Sequence, residues 1–332
     1  MFLTRKVRLV RPLSLSLLAL LGCGPAAPAP LAPEEISSTP TPIFELLIAD
    51  REGDQLLRFD GAGHFLGRLG GVRSPTAVAQ GADGALFVAD FEGGQITRHP
   101  SDGSSPGVLF GDSVLLEEPV RLLRRGSTLY ALGNDTMNVV AIDSRTGRAL
   151  HSFGVPTMRF PHDLALGPGQ RAFVAMEPNT TGGVIQVWDT SRGELVGNFA
   201  PPGEVLIASG ITVGPDGKIY VSDWFGDRVL RYDPQTLALR DVFIPPGRLV
   251  RPGALEHGPD GRLYVLASGE ILRFDGQTGV FIDVLVGAGQ AGMVGPRGFG
   301  FALLPVPAPA APPSDERPAS TSPPFHPGVT RP

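Results

Sequence analysis

The sequence predicts an all-β chain folded as a six-bladed β-propeller of four-stranded blades. Three observations predict it: a unit that recurs every 40 to 46 residues, tight-turn motifs at fixed places inside the unit, and no segment with a convincing 3.6-residue apolar period. The recurrence is visible by eye. "LLIADREGDQLLRFDGAG" (46–63) matches "LFVADFEGGQITRHPSDG" (86–103), "IYVSDWFGDRVLRYDPQT" (219–236) and "LYVLASGEILRFDGQTG" (263–279). Two looser copies are "LYALGNDTMNVVAIDSRTG" (129–147) and "AFVAMEPNTTGGVIQVWDTSRG" (172–193). The turn residues Asp60, Pro100, Asp143, Asp189, Asp233 and Asp275 hold one register, spaced by 40, 43, 46, 44 and 42.

Each unit reads as four strands in order. An apolar run after a proline comes first, as in "SPTAVAQ". A "GADG" or "GPDG" turn follows, in which Gly takes a positive φ and Asp bonds its own backbone. The second strand is β-branched and aromatic, as in "KIYVSD". After a polar loop the third strand alternates, as in "RVLRYD", and a second Asp-led turn precedes a short apolar fourth strand. The first unit begins near Ile43 without its opening strand, and the last is followed by "GPRGFGFALL" (295–304), which has the form of that strand alone. Residues of about 296–304 are therefore expected to join the N-terminal blade, closing the ring and removing exposed sheet edges.

The propeller accounts for residues 43–304. Residues 1–22 read as a secretory signal: a basic head (Arg5, Lys6, Arg8, Arg11) and an apolar Leu13–Leu21 run shorter than the ~20 residues that span a bilayer. The run ends in "LLGCG", which resembles the lipobox of bacterial lipoproteins. The resemblance implies lipidation at Cys23, the only cysteine, which leaves no intramolecular disulfide to form. Gly24 stands where such proteins carry an inner-membrane retention aspartate, so the outer membrane or periplasm is the expected location in a Gram-negative cell. Residues 23–42 read as a Pro/Ala-rich tether and 305–332 as a Pro-rich disordered tail. Removal of 1–22 takes away four positive charges and moves the formal charge from −5 to −9. No Lys/Arg cluster survives, which argues against nucleic acid and against electrostatic membrane binding; the lipid on Cys23 would hold the chain to the membrane.

"GPDGKIYVSDWFGDRVLRYD" and "GADGALFVADFEGGQITRHP" resemble NHL repeats and their six-bladed relatives, the gluconolactonase-like hydrolases included. The resemblance implies the fold over 43–304 and leaves activity open, because the architecture hosts lactonases, lyases and binding platforms. In such propellers the residue after the inner-strand proline faces the central channel. Those positions are Thr76, Val120, His162, Ser209, Gly253 and Arg297. Gluconolactonase-like enzymes hold a divalent metal there on acidic and amide side chains, and these six positions offer no acid; "ASG" (208–210) stands where Asn-Gly is common. "FPHDLAL" is similar to the zinc-binding strands of peptide-amidating lyases, but no other inner strand opens with a histidine. His162 and Asp163 are adjacent, and strand alternation is expected to turn them apart unless a bulge intervenes.

No catalytic residue, metal or cofactor is assigned from the sequence. His162, Arg297, Thr76 and Ser209 are the candidate channel residues, with His162 and Arg297 favouring an anionic group. Asp163 is expected to bond backbone N–H groups, and Asp50, Asp90 and Asp223 to cap loops. Phe91, Met137, Trp224 and Phe225 are the candidate interaction residues of the loops between second and third strands. The function expected is an exported, lipid-anchored binding or scaffolding module in the bacterial envelope, a monomer that meets an envelope protein, a carbohydrate or a small ligand. The alternative is a lactonase-like hydrolase or a lyase with an atypical channel site.

Overall fold

The computed structural model describes residues 43–304 apart from 105–106, 111–115, 178–183 and 202. The signal, tether, Cys23 and C-terminal tail of the sequence reading lie outside the described residues, as does most of the loop 177–183. Among the described residues, twenty-four strands form six four-stranded antiparallel sheets. Blade 1 holds β1 (Phe44–Asp50), β2 (Gln55–Asp60) and β3 (Phe65–Leu69). Blade 2 holds β4 (Pro75–Gln80), β5 (Leu86–Asp90), β6 (Gln95–His99) and β7 (Val108–Phe110). Blade 3 holds β8 (Pro119–Arg125), β9 (Thr128–Gly133), β10 (Asn138–Asp143) and β11 (Ala149–Phe153). Blade 4 holds β12 (Pro161–Leu166), β13 (Arg171–Met176), β14 (Ile185–Asp189) and β15 (Glu194–Phe199). Blade 5 holds β16 (Ala208–Val213), β17 (Ile219–Asp223), β18 (Arg228–Tyr232) and β19 (Leu239–Ile244). Blade 6 holds β20 (Pro252–His257), β21 (Leu263–Ala267), β22 (Glu270–Phe274) and β23 (Phe281–Val286). The last strand, β24 (Pro296–Leu303), pairs antiparallel with β1 and is the innermost strand of blade 1.

The ring closes as the repeat count predicts. Each inner strand touches the next, and β24 lies between β20 and β4. A blade has two apolar faces and cannot bury both alone, so the core is divided among the blade interfaces. Six buried clusters result, one at each interface. Phe173, Phe199, Ile211 and Tyr232 fill the gap between blades 4 and 5, and Ile48, Phe59, Tyr264 and Phe299 that between blades 6 and 1.

The turn residues act as their chemistry suggests. Asp143, Asp189, Asp233 and Asp275 each accept backbone N–H bonds from the residues two and three positions on, which fixes the third-to-fourth-strand turns. Asp50 accepts from Val294 and Gly295 N–H, and Asp223 from Leu206 and Ile207 N–H, so each ties the loop that leads into its own blade's inner strand. Asp90 caps its own hairpin through Gly93 N–H.

All six inner strands start at one face of the ring, here called upper. The chain enters and leaves the propeller at the lower face, where Leu304 N–H donates to Ile43 O.

Candidate site in the upper channel

The residue after each inner-strand opening is a β-bulge. Thr76, Val120, His162, Ser209 and Arg297 are all skipped in the pairing with the second strand; in blade 6 Gly253 and Ala254 are both skipped. An extra residue in one strand interrupts alternation, so consecutive side chains near it need not face opposite ways. This corrects the expectation for His162 and Asp163: the bulge intervenes, and both residues line the same cavity.

That cavity, of about 790 Å³, occupies the upper channel. Four guanidinium groups (Arg51, Arg121, Arg251, Arg297) and two carboxylates (Glu52, Asp163) line it, with Phe91, Trp224, Phe225 and His162. Its floor is an ion cluster that the sequence reading missed. Arg121 of blade 3 crosses the axis and donates from Nη2 to Glu256 Oε2 of blade 6 at 3.1 Å, while its Nε lies 3.2 Å from Asp163 Oδ1 of blade 4. Arg121 and Asp163 are 5% and 3% exposed, and the Glu256 side chain is 27% exposed toward a smaller pocket below. Arg121 lines both pockets and so divides the channel into two chambers.

Backbone geometry explains why the cluster sits there. The second residue after each inner-strand opening is small in four blades: Ala77, Gly210, Ala254 and Gly298. A Cβ on Gly298 would collide with Thr76 O, and one on Gly210 with Gly253 O. Arg121 and Asp163 occupy the same position in the other two blades. A charged residue in a column of small ones is the signal that would have found Arg121; Glu256, at the far end of its strand, carries no comparable mark. Asp163 also accepts from Leu164 N–H at 2.8 Å and Ile211 N–H at 2.9 Å, which meets the expectation of backbone bonding and joins blade 4 to blade 5.

The charges in the cluster are coupled. Burial pushes the Asp163 carboxyl above its ordinary value, against the opposing pull of Arg121 and the two N–H donors. Burial raises Glu256 too, with Arg121 pulling it back and Asp163 pushing it further up. Burial alone would lower Arg121, but the two carboxylates hold it above the ordinary arginine range, so it stays charged. Burial also depresses His99, His162 and His257. Because the folded values lie below the ordinary histidine value, the stability tied to these neutral rings is full above about pH 6.5 and is lost as pH falls from there through the lower folded values.

The expected channel residues fare differently. Thr76 Oγ1 donates to Pro119 O and Ser209 Oγ to Pro252 O, each stitching its inner strand to the next blade, so neither hydroxyl proton is free for a ligand. His162 Nε2 is buried without a hydrogen-bond partner. Arg297 is half exposed at the mouth and pairs with Glu52 at 3.1 Å. Among the loop residues, Phe225 is 62% exposed, Trp224 lies over Gly253, and Phe91 carries the Arg51 guanidinium 3.7 Å above its ring. Met137 departs from expectation. Its backbone is left-handed (φ 49°), and its side chain packs on the buried cluster between blades 3 and 4 instead of lining the cavity. Among the described residues no group of three or more His, Cys, Asp and Glu side chains is placed to hold a metal ion.

No known family model matches the chain, and no curated protein matches it in sequence. Solved structures do share its shape. A chain of the nidogen/laminin complex superposes with a TM-score of 0.63 at 14% identity, over 78% of this chain and 98% of that one. Hydrazine synthase of Kuenenia stuttgartiensis superposes with a TM-score of 0.54 at 16% identity, over 70% of this chain and 73% of that one. At these identities the likeness establishes the propeller fold alone.

Proposed function

We infer that this protein is a binding module whose ligand or partner is met at the upper face, and that it is exported and held to the bacterial envelope by a lipid on Cys23. The observation that carries the binding reading is the 790 Å³ upper cavity, closed below by the Arg121 cluster and flanked by the exposed Phe225. A concave site with aromatic walls and a few convergent polar groups is the usual form of a ligand pocket. The NHL-like repeat pattern supports the same reading, as a platform fold with function on one face. The chain enters the propeller at Ile43 on the lower face, opposite the proposed binding surface.

A photo-crosslinking residue at position 225, tested in cells beside one at Val108 on the outer strand β7, checks this. An adduct at 225 and none at 108 is expected. Adducts at both, or at 108 alone, would remove the upper face as the binding surface. In the same cells Cys23→Ser is expected to move the protein from the membrane to the soluble fraction; retention in the membrane would remove the lipid anchor from the account.

A further inference from the structure

The cavity has two sides of different chemistry. Arg251 of blade 6 and Arg297 and Arg51 of blade 1 stand on adjacent blades at its mouth. Glu52, paired to Arg297, is the carboxylate that lines the mouth beside them; Asp227 and Asp54 lie outside the lining, engaged by Arg251 N–H and Ser74 N–H. Asp163 lies deeper, against Arg121. Arg251 has an exposed side chain with no acidic partner among the described residues. Its backbone, in contrast, is fixed: Arg251 N–H donates to Asp227 Oδ1 at 2.7 Å, φ is 49°, and Pro252 follows. Arg51 is held by its stack on Phe91 and by an Nε bond to Ser74 Oγ. The lining of the mouth therefore presents more guanidinium groups than carboxylates, on a chain whose formal charge is −5.

The flat surface adjoins the cations. A Cβ placed on Gly253, the bulge residue two positions after Arg251, would sit 4.0 Å from Trp224 Cζ3. Trp224 thus folds from blade 5 over the one inner-strand opening that carries no side chain. Four of the other five openings carry threonine, valine, histidine or arginine, and the fifth a serine whose hydroxyl is spent on Pro252 O. The missing side chain lets the indole approach the strand, and Trp224, Arg251 and Ser268 all line the cavity. An indole face takes the apolar face of a ring, and guanidinium groups take a carboxylate as a two-pronged, charge-assisted pair.

We propose that the upper cavity binds an anionic ring-bearing ligand, with its ring against the Trp224 indole and its carboxylate taken by Arg251 and Arg297. This rests on the reading of the upper face as the binding surface and goes further by naming the ligand's chemistry. Two sources share that chemistry, an aromatic carboxylate and a sugar acid, and the test separates them.

Intrinsic fluorescence suits the test, because the chain has two tryptophans and Trp188 is buried, with its Nε1 donating to Gln186 Oε1. Full-length protein is titrated with 2-naphthoate and 2-naphthamide, and with trigalacturonate and an uncharged trisaccharide, up to about 10 mM. At least one carboxylate is expected to change the fluorescence saturably, with its neutral counterpart at least tenfold weaker. Arg251→Gln is expected to weaken that probe about tenfold and to melt like the parent protein, and Arg297→Gln to weaken it as well. Trp224→Phe is expected to lose the signal. The naphthoate arm prevailing points to an aromatic acid, the galacturonate arm to a sugar acid. Saturation by neither carboxylate, equal binding of charged and neutral probes, or unchanged affinity in a normally melting Arg251→Gln protein would overturn the proposal. In those cases crosslinking at position 225 still decides separately whether the upper face binds anything.

Discussion

Deletion of residues 296–304 is expected to abolish cooperative folding of the monomer, an effect far larger than the worth of one edge strand. β24 is an inner strand. It pairs with β1 from Phe44↔Leu303 to Asp50↔Pro296, and it packs against β4 so closely that a Cβ on Gly300 would lie 2.8 Å from Val78 O. Phe299 on this strand is buried in the cluster between blades 6 and 1. Without β24 that cluster loses one wall, β1 becomes an open edge, and the inner ring has a gap between β20 and β4. Truncation of Phe299 to Ala alone should cost about 3–5 kcal/mol. Thermal denaturation followed by circular dichroism checks both: the deletion is expected to lose its sharp transition or aggregate, and Phe299→Ala to melt cooperatively at a lower temperature. A deletion variant that melts like the full-length protein would show that closure does not hold the ring together.

Replacing Arg121 by Met is expected to have the second largest effect, a loss of about 3–5 kcal/mol. The substitution nearly conserves length, but it leaves two carboxylates at the axis without their cation. Folding must then bury Asp163 and Glu256 either as charges or as protonated acids, and the second course raises their pKa values still further above the ordinary carboxylate range. A group whose folded pKa is raised binds more protons folded than unfolded. Stability of Arg121→Met should therefore be greatest in acid and should fall as pH rises from about 4, through the unfolded carboxylate value, toward the raised folded values. The parent protein should show this fall only weakly. Urea denaturation from pH 5 to 8 measures it, and Glu256→Gln in the Arg121→Met background is expected to recover part of the loss. Equal stability of Arg121→Met and the parent at pH 8 would mean that the cluster contributes nothing to closing the channel.

The fold was legible because local turn chemistry and strand pattern point the same way in all six units. Asp-led turns and "GPDG" corners mark the strand ends, and the isolated "GPRGFGFALL" segment identified the closing strand without any contact information. The loop-capping roles of Asp50, Asp90 and Asp223 followed from their recurrence at one place in the repeat. The channel was legible only in outline. Thr76, His162, Ser209 and Arg297 do open their inner strands, yet which of them keeps a free polar atom depends on the neighbouring blade: Thr76 and Ser209 each meet a carbonyl 43 residues further on. The His162 bulge could not be read from alternation, because alternation is the rule that a bulge breaks. The Arg121–Glu256 bond joins residues 135 apart on opposite blades, and only the closed ring brings them together. Arg251 reads as an ordinary surface arginine until the ring places it on the same cavity as Arg297 and Trp224.

On the proposed reading, the upper cavity is where this protein meets its ligand. Arginine-directed labelling with phenylglyoxal, carried out on intact cells and on the purified protein, tests it most directly. Arg251 and Arg297 are exposed at the cavity mouth, and Arg240 is exposed on the outer strand β19, away from it. The account predicts that Arg251 and Arg297 react more slowly in cells than in the purified protein, while Arg240 reacts alike in both. Equal reactivity of all three in both settings, or protection confined to Arg240, would contradict it.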